Sequence, residues 1–406
     1  MVAAEAQRLE AYSESVARFR ELLVTQGEEQ VRLLVAGTRK DESPSFRRLC
    51  LDYLLEQATE QSFQMASSVL EDSDPVIVCR ALAYFSERRA AVDSLVLVRL
   101  ASRKDEEVKR AVWKYLGAVR DEEAASALEM PADMPVPLRC EVLKAIAQQR
   151  YEALFSVVDN ALKSHDPAVR CMALRSSTAI GALKHLPEVL QLALHPHDLG
   201  TYFNAKDALA AYGDRAVELL AARFREGDEG ERFRMLRLAA HIGTHQAAHF
   251  LTAAIQRPGS EAERELAIEL VGALRARTAA PALLELMREL QVAGKTLFTV
   301  TRALASIGDD SAVDAAIACL RDAEAYHCGW HAVAALAELL GALGDQRTAP
   351  ELERSLHKLN RGAFADDSPA YPNWGKAFAV QHVEDALSSI RKRIGGDREA
   401  GPGPTP

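Results

Sequence analysis

The stretch DPAVRCMALRSSTAIG, residues 166–181, predicts a helix with both of its ends marked. Pro167 lies just inside the start, where proline is suited because the backbone N–H it lacks would have no partner there. Apolar residues such as Ala173 and Ile180 recur at helical spacing and predict a buried face. Gly181 follows the last of them, and glycine commonly ends a helix because it adopts the left-handed conformation without steric cost.

The same pattern recurs about every 31 residues, which is the period of stacked helical hairpins. Taking the last residue of the first helix in each unit as an anchor, apolar residues recur eight, four and one positions before it. The anchors are Ala58, Ala90, Arg120, Arg150, Gly181, Gly213, Gly243, Arg275, Gly308 and Gly344. A short turn and a second apolar run follow each anchor. We therefore expect an all-α, right-handed α-solenoid of about ten hairpins, with the second helices lining one side.

The two ends of the chain depart from the repeat. An apolar face that includes Tyr12 and Phe19 predicts an amphipathic helix at the N-terminus, and the Gly- and Pro-rich C-terminus predicts disorder. The expected organisation is N-terminal capping helices at 1–42, repeats at 43–357, a loop insert with a C-terminal capping helix at 358–395, and a disordered tail at 396–406.

A basic residue stands eleven positions before six of the anchors. These residues are Arg47, Lys109, Arg139, Arg170, Arg232 and Arg264. A base near a helix start opposes the helix dipole, so we expect an acid from an adjoining turn to compensate it. The candidate acids are Asp74, Asp105, Glu106 and Asp166.

The pattern D-P-x-V-R-x-x-A-L…I-G of residues 166–181 resembles the HEAT repeat. The short period is similar to the bacterial form of this repeat, which phycobilin lyases also contain. The resemblance covers approximately residues 43–357 and implies a solenoid fold, whereas it carries almost no information on function. In HEAT proteins an Asp and an Arg form a ladder along the solenoid. Here the arginine column is interrupted at Cys79, Tyr202, Leu297 and Val333.

The composition narrows the class of partner. A formal net charge of −9 argues against binding to nucleic acid, which requires a basic surface. The acidic runs at 121–123 and 226–231 are typical of solvated loops, and the alternative is contact with a basic protein partner. No apolar run is long enough to span a membrane and no signal peptide is evident. The six cysteines lack paired spacing, which favours the cytoplasm and small buried side chains.

The C-terminal insert is the first candidate binding site. Residues 361–378 interrupt the helical register, and loops inserted in solenoids often lie on one face and bind partners. The candidate residues of the insert are Asp366, Asp367, Tyr371 and Trp374. The alternative is that the insert folds back and seals the last repeat, with Trp374 as the plug.

A histidine pair is the second candidate. His327 and His331 are four residues apart, so on a helix they would share one face, and Cys328 is adjacent. A structural zinc site needs four ligands, and no further acids stand at a defined spacing. We therefore expect no metal and treat the two histidines as candidate partner-binding residues.

The predicted function is that of a non-catalytic scaffold or adaptor that binds protein partners through its concave face and C-terminal loop. The chain has no nucleophile elbow, no phosphate-binding loop and no CxxC motif, and none of its eleven histidines precedes Glu, as the di-iron enzymes of this fold would require. We expect neither enzyme activity nor a cofactor. Two alternatives remain open: a phycobilin-lyase-like enzyme or chaperone-like factor, and a regulatory subunit of a bacterial signalling or secretion complex.

Overall fold

A computed structural model describes residues 2–25, 28–39, 42–57, 59–128, 134–289, 294–325, 329–361 and 374–399. These residues form 23 α-helices and three short 3₁₀ helices, and within them there is no β-strand. The all-α solenoid expected from the repeat is confirmed. The predicted anchor Ala58 lies outside the described residues.

The contacts group the chain into two compact units, Met1–Ala208 and Leu209–Pro406. In unit 1 the helices are α1 Val2–Val24, α2 Glu28–Gly37, α3 Pro44–Glu56, α4 Glu60–Ser68, α5 Pro75–Arg88, α6 Ser94–Ala101, α7 Glu106–Ala118, α8 Glu122–Ala127, α9 Val136–Gln149, α10 Phe155–Leu162, α11 Pro167–Ile180 and α12 Leu186–Leu194. The helix that contains the boundary is α13 Leu199–Tyr212.

Unit 2 continues the same alternation of first and second helices. Its helices are α14 Asp214–Phe224, α15 Glu229–Ile242, α16 His245–Gln256, α17 Glu261–Ala273, α18 Ala280–Glu289, α19 Gly294–Ile307, α20 Ser311–Ala325, α21 Trp330–Leu343, α22 Ala349–Asn360 and α23 Trp374–Glu399. The last helix, α23, packs against α21 and α22, so it takes the place that a further first helix would have. None of the described helices is both long and apolar enough to cross a bilayer.

The odd-numbered helices form a row in each unit, which we call the first-helix row. In unit 1, α5, α7, α9 and α11 each pack broadly on the next, and in unit 2 α17, α19, α21 and α23 do the same. Neighbouring even-numbered helices touch one another much more sparsely. Within each unit the first helices therefore pack more closely on one another than the second helices do.

Glycines permit this close approach at a fixed place in the repeat. Gly272 and Gly341 stand three residues before their anchors, and a Cβ on either would lie 2.9 Å from the Cα of Ala303 or Ala386 on the next first helix. Gly117 holds the same position in α7, but its nearest neighbour is the flexible side chain of Gln148. At this repeat position the backbones therefore approach most closely in the pairs α17/α19 and α21/α23.

The helix starts follow the predicted signals. In α11 the Asp166 side chain accepts hydrogen bonds from the backbone N–H of Ala168 and Val169, at 2.9 and 3.2 Å. Ser43 and Asp74 cap α3 and α5 in the same way, each followed by proline. These side chains bond backbone groups within their own first turn, so sequence alone was enough to place these ends.

The helix ends follow the prediction at most anchors. Gly181, Gly213, Gly243 and Gly308 have φ between 58° and 72°. Arg150 and Arg275 adopt the same left-handed conformation, with φ of 55° and 51°, although a side chain makes it costly.

The expectation of a left-handed backbone conformation fails at one anchor glycine. Gly344 has a φ of −62°, and it is required for another reason: a Cβ there would collide with the Leu340 carbonyl oxygen and the Thr348 side chain. Close approach, and not backbone conformation, therefore explains the glycine at this anchor.

Ion pairs join successive repeats. Arg47 Nη1 lies 2.6 Å from Asp72 Oδ2, with both side chains buried. Arg170 donates to Asp198 at 2.6 Å, and Arg232 Nε lies 2.6 Å from Glu263 Oε1. The predicted compensation by acids is thus right in kind, whereas the predicted partners are wrong.

The acids that pair come from the turn or first turn of the following first helix. Asp166 instead caps its own helix, and Asp74 binds Arg48 at 2.9 Å. Which acid pairs with which arginine depends on how neighbouring helices pack, because several acids that are close in sequence lie near the same bases.

Candidate protein-binding surface

Five ring side chains meet on the first-helix row of unit 2. They are Phe298 of α19, Trp330 and His331 of α21, and Phe378 and His382 of α23. We call this group the aromatic cluster. Three successive first helices contribute to it, so it exists only because the repeats stack in register.

Phe298 stands at the centre of the cluster. Its ring centroid lies 6.0 Å from that of Phe378, 6.1 Å from that of His382 and 6.5 Å from that of His331. Interplanar angles of 70–86° make these contacts edge-to-face, an arrangement that aromatic rings favour. The cluster is thus held by specific ring contacts as well as by burial.

Small residues allow α23 to complete the cluster. A Cβ on Gly375 would overlap the indole ring of Trp330, so glycine lets the first turn of α23 lie against that ring. Phe378 and His382 are four residues apart and therefore lie on one face of α23. Trp330 and Phe378 meet with their ring centroids 5.5 Å apart.

The cluster also contains polar groups. The side chain of Trp330 is only 7% exposed, and its Nε1 has no hydrogen-bond partner within the described part of the chain. His382 Nδ1 lies 3.0 Å from the carbonyl oxygen of Phe378. Because a carbonyl oxygen only accepts, Nδ1 is the donor in this contact. Phe298, His331, Phe378 and His382 are half-buried, so their ring surfaces are within reach of a partner.

An ion pair flanks the cluster. The Arg302 guanidinium lies 5.8 Å from the centroid of Phe298, within the range of a cation–π contact. Arg302 Nε is also 2.9 Å from Glu338 Oε1, while Glu338 Oε2 is buried with no hydrogen-bond partner among the described residues. The charges beside the cluster therefore neutralise each other, and aromatic surface dominates its chemistry.

Of the binding residues predicted from the sequence, the structure places only some relative to the aromatic cluster. His331 is part of it, and α23 begins at Trp374. Asp366, Asp367, Tyr371, His327 and Cys328 lie outside the described residues. Within the residues that are described, no group of three or more His, Cys, Asp or Glu could hold a metal ion.

Sequence reasoning missed Phe298, Trp330, Phe378 and His382. The available signal was the four-residue spacing of Phe378 and His382, together with Phe298 ten residues before its anchor. The insert between α22 and α23 breaks the repeat register, so these positions could not be aligned without the structure.

The comparisons with known proteins bear on the fold. No family model matches the chain, and no curated protein matches its sequence. Among solved structures, a mutant of Kap121p is similar over 97% of this chain and 50% of its own, with a TM-score of 0.55 and 11% identity. Kap121p bound to Nup53p is similar over 95% of this chain and 49% of its own, with a TM-score of 0.56 and 11% identity.

The structure of Kap121p bound to Ste12p gives the same result, with a TM-score of 0.56, 11% identity, and coverage of 95% of this chain and 49% of that chain. The chain thus spans about half the length of these solenoids. At this identity the likeness establishes the α-solenoid fold and nothing finer.

Proposed function

We propose that this protein is a non-catalytic scaffold or adaptor that binds protein partners through its first-helix row. The observation that carries the proposal is the aromatic cluster, which presents half-buried rings, the imidazole of His382 among them, on the closer-packed row of unit 2. Aromatic side chains are the commonest anchors of protein interfaces, because they bury a large area at little cost in conformational entropy.

The solenoid fold supports this proposal in a general way. Kap121p was solved bound to Ste12p and to Nup53p, so a similar stack of helices does bind proteins. Stacked hairpins offer a long surface to which each repeat adds a few side chains, and such a surface suits peptides and protein segments. We extend protein binding, and not the identity of those partners, to this chain.

The C-terminal insert belongs to the same proposal. It connects α22 to α23, and the first turns of α23 carry Phe378 and His382. We therefore place partner contacts on Asp366, Asp367, Tyr371, Trp374 and His327 as well as on His331. We propose no metal, cofactor or enzymatic activity, and the cytoplasmic location stays a prediction from the sequence.

The proposal can be tested by site-specific photo-crosslinking in the native cell. A photoreactive phenylalanine analogue replaces His382 in one variant and Glu285, exposed on the second helix α18, in the control variant. We expect a discrete crosslinked protein from position 382 and none from position 285. The same crosslink from both positions, or none from either, would contradict the proposal.

Purified protein gives the quantitative form of the test. With the crosslinked partner in hand, Phe298→Ala should weaken binding by about tenfold or more, the effect of removing an interface anchor. Circular dichroism verifies that the helices remain folded. Glu285→Ala serves as the matched exposed substitution and should leave the affinity unchanged.

A further inference from the structure

Three basic side chains form a row on the first helices of unit 1. Lys114 of α7, Lys144 of α9 and Arg175 of α11 each stand six residues before the anchor of their repeat, and all three are exposed. We call them the basic row. We propose that the basic row binds an extended acidic peptide segment of a protein partner; this deepens the proposed function and rests on it.

A groove runs beside the row. A cavity of about 1040 Å³ lies between α7 and α9, and its lining includes Lys114, Lys144, Arg89 and Arg120. Glu141 is the one carboxylate that lines it. A cleft lined by one sign of charge concentrates ligands of the opposite sign and orients them. The groove therefore selects for an anionic ligand, in a chain whose formal net charge is −9.

The bases of the row are not used by the fold. Across the described ranges of the chain, neither Lys114, Lys144 nor Arg175 forms an ion pair with a carboxylate. Arg120, at the edge of the groove, does pair with Glu122 at 3.0 Å. Like charges on neighbouring helices repel one another, and an acidic ligand would relieve that repulsion.

The spacing of the row matches an extended peptide. Packed helices lie about 8–10 Å apart, and an extended peptide in the polyproline II conformation advances about 3.1 Å per residue and, with three residues per turn, turns every third side chain to the same face. Three peptide residues thus cover one helix-to-helix step, so an acid at every third residue would meet each base in turn. Asp207 holds the same position in α13, which limits the basic row to three helices and the peptide to three acids.

The groove wall favours a peptide over a nucleic acid. The exposed side chain of Gln148 lines the groove and can bond a peptide backbone, while the Gln149 amide already donates to the Gly117 carbonyl at 2.6 Å. The aromatic residue of the groove, Trp113, is only 3% exposed, so it offers no face for base stacking. Proteins that bind single strands rely on such faces.

Fluorescence anisotropy at low ionic strength tests the inference on the full chain. The probe is a fluorescein-labelled peptide with three Glu residues, one at every third position, in an Ala and Ser background. A second peptide has the same composition with the three Glu residues contiguous. We expect the spaced peptide to bind about tenfold more tightly, and Lys144→Glu to weaken it by at least about tenfold.

The controls separate charge from folding. Lys144→Gln should give an intermediate loss, and Arg237→Glu, at the same repeat position in unit 2, should leave the affinity unchanged. Equal binding of the two peptides, an unchanged affinity of Lys144→Glu, or tighter binding of a single-stranded RNA of equal charge would each overturn the inference. Crosslinking from position 382 is independent of this row, so its survival beside a failed peptide assay would leave the proposed function intact.

Discussion

The two units differ most clearly at one position of the repeat, six residues before the anchor. In unit 1 three successive repeats carry the same sign there, at Lys114, Lys144 and Arg175. In unit 2 the signs alternate, at Arg237, Glu269, Arg302 and Glu338. Alternation lets neighbours neutralise each other, as Arg302 and Glu338 do at 2.9 Å. The helices stack in the same way in both units. The sequence of signs along the row therefore decides which unit keeps unpaired charge that a ligand can bind.

A second contrast, between α9 and α11 of unit 1 and α19 of unit 2, lies ten residues before the anchor. Phe298 occupies that position in unit 2 and forms the centre of the aromatic cluster, whereas Cys140 and Cys171 occupy it in unit 1. The prediction of small buried cysteines holds at Cys50 and Cys319, whereas Cys79, Cys140 and Cys171 are half-exposed. Partial burial raises the pKa of the Cys140 and Cys171 thiols. In unit 1, α9 and α11 therefore carry a small side chain at the position where α19 of unit 2 carries a ring.

The largest expected effect tests whether the two units share the same inter-repeat ion pair. Arg232→Met should destabilise by about 3–5 kcal/mol, because Glu263 is fully buried and would be left without its partner. Arg170→Met should cost less, since the Asp198 side chain is 32% exposed. Urea denaturation measures both effects, and hydrogen exchange locates them. Arg391→Met, in a pair with Glu353 that is exposed on both sides, is the control and should stay within about 1 kcal/mol; a loss as large as that of Arg232→Met would contradict the comparison.

The pH dependence of stability tests the inter-repeat ion pair of unit 1, Arg170 with Asp198. Hydrogen bonds from the hydroxyl and backbone N–H of Thr201, followed by the Arg170 ion pair, lower the pKa of Asp198 to about 2. Because the folded-state pKa lies below the unfolded value of about 3.9, this carboxylate stabilises the fold above that pH, and the contribution is lost as the pH falls from about 4 to 2. Asp198→Asn should flatten the loss of stability over this window. An unchanged slope in urea titrations would show that Asp198 does not couple to folding.

A pair of glycine substitutions tests how closely each row is packed. Gly341→Ala should destabilise by about 1–3 kcal/mol, because its Cβ would press on the backbone of Ala386. Gly117→Ala, at the same repeat position beside the groove, should be neutral or stabilising by up to about 1 kcal/mol. The Gln148 side chain can move aside there. Thermal denaturation measures both, and equal effects would mean that the two rows are equally tight.

The smallest expected effect is on stability when the charge order of unit 1 is changed. Lys144→Glu gives unit 1 the alternating signs of unit 2, so the free energy of unfolding should rise by no more than about 0.5 kcal/mol. Glu269→Lys removes the alternation in unit 2 and should lower it by a similar amount. A large loss in the free energy of unfolding of either variant, measured by urea denaturation, would mean that these residues stabilise the fold and do not only determine the surface charge.

Much of the fold could be predicted because its signals are local. Asp166 and Pro167 start a helix through bonds to their own first turn, and Gly181 ends it through its own backbone conformation. Arg150 and Arg275 were placed at helix ends by register alone, and both are left-handed there. Gly344 shows the limit, since a neighbouring carbonyl and side chain, and not its own φ, require a glycine.

Less of the candidate site could be predicted, because its residues come together only through packing. His331 was found from its spacing, whereas Phe298 and His382 belong to helices that flank it in space and are far from it in sequence. The acids that pair with Arg170 and Arg232 were misassigned for the same reason.

The amino-acid sequence by itself determined the helices, their period and their ends, since each depends on interactions within one or two turns of backbone. The tertiary structure alone decided which row packs closely, which acid each arginine meets and which rings touch. Those outcomes depend on the distance between neighbouring helices, and that distance follows from the shape of many side chains at once, as the contact of Gly341 with Ala386 illustrates.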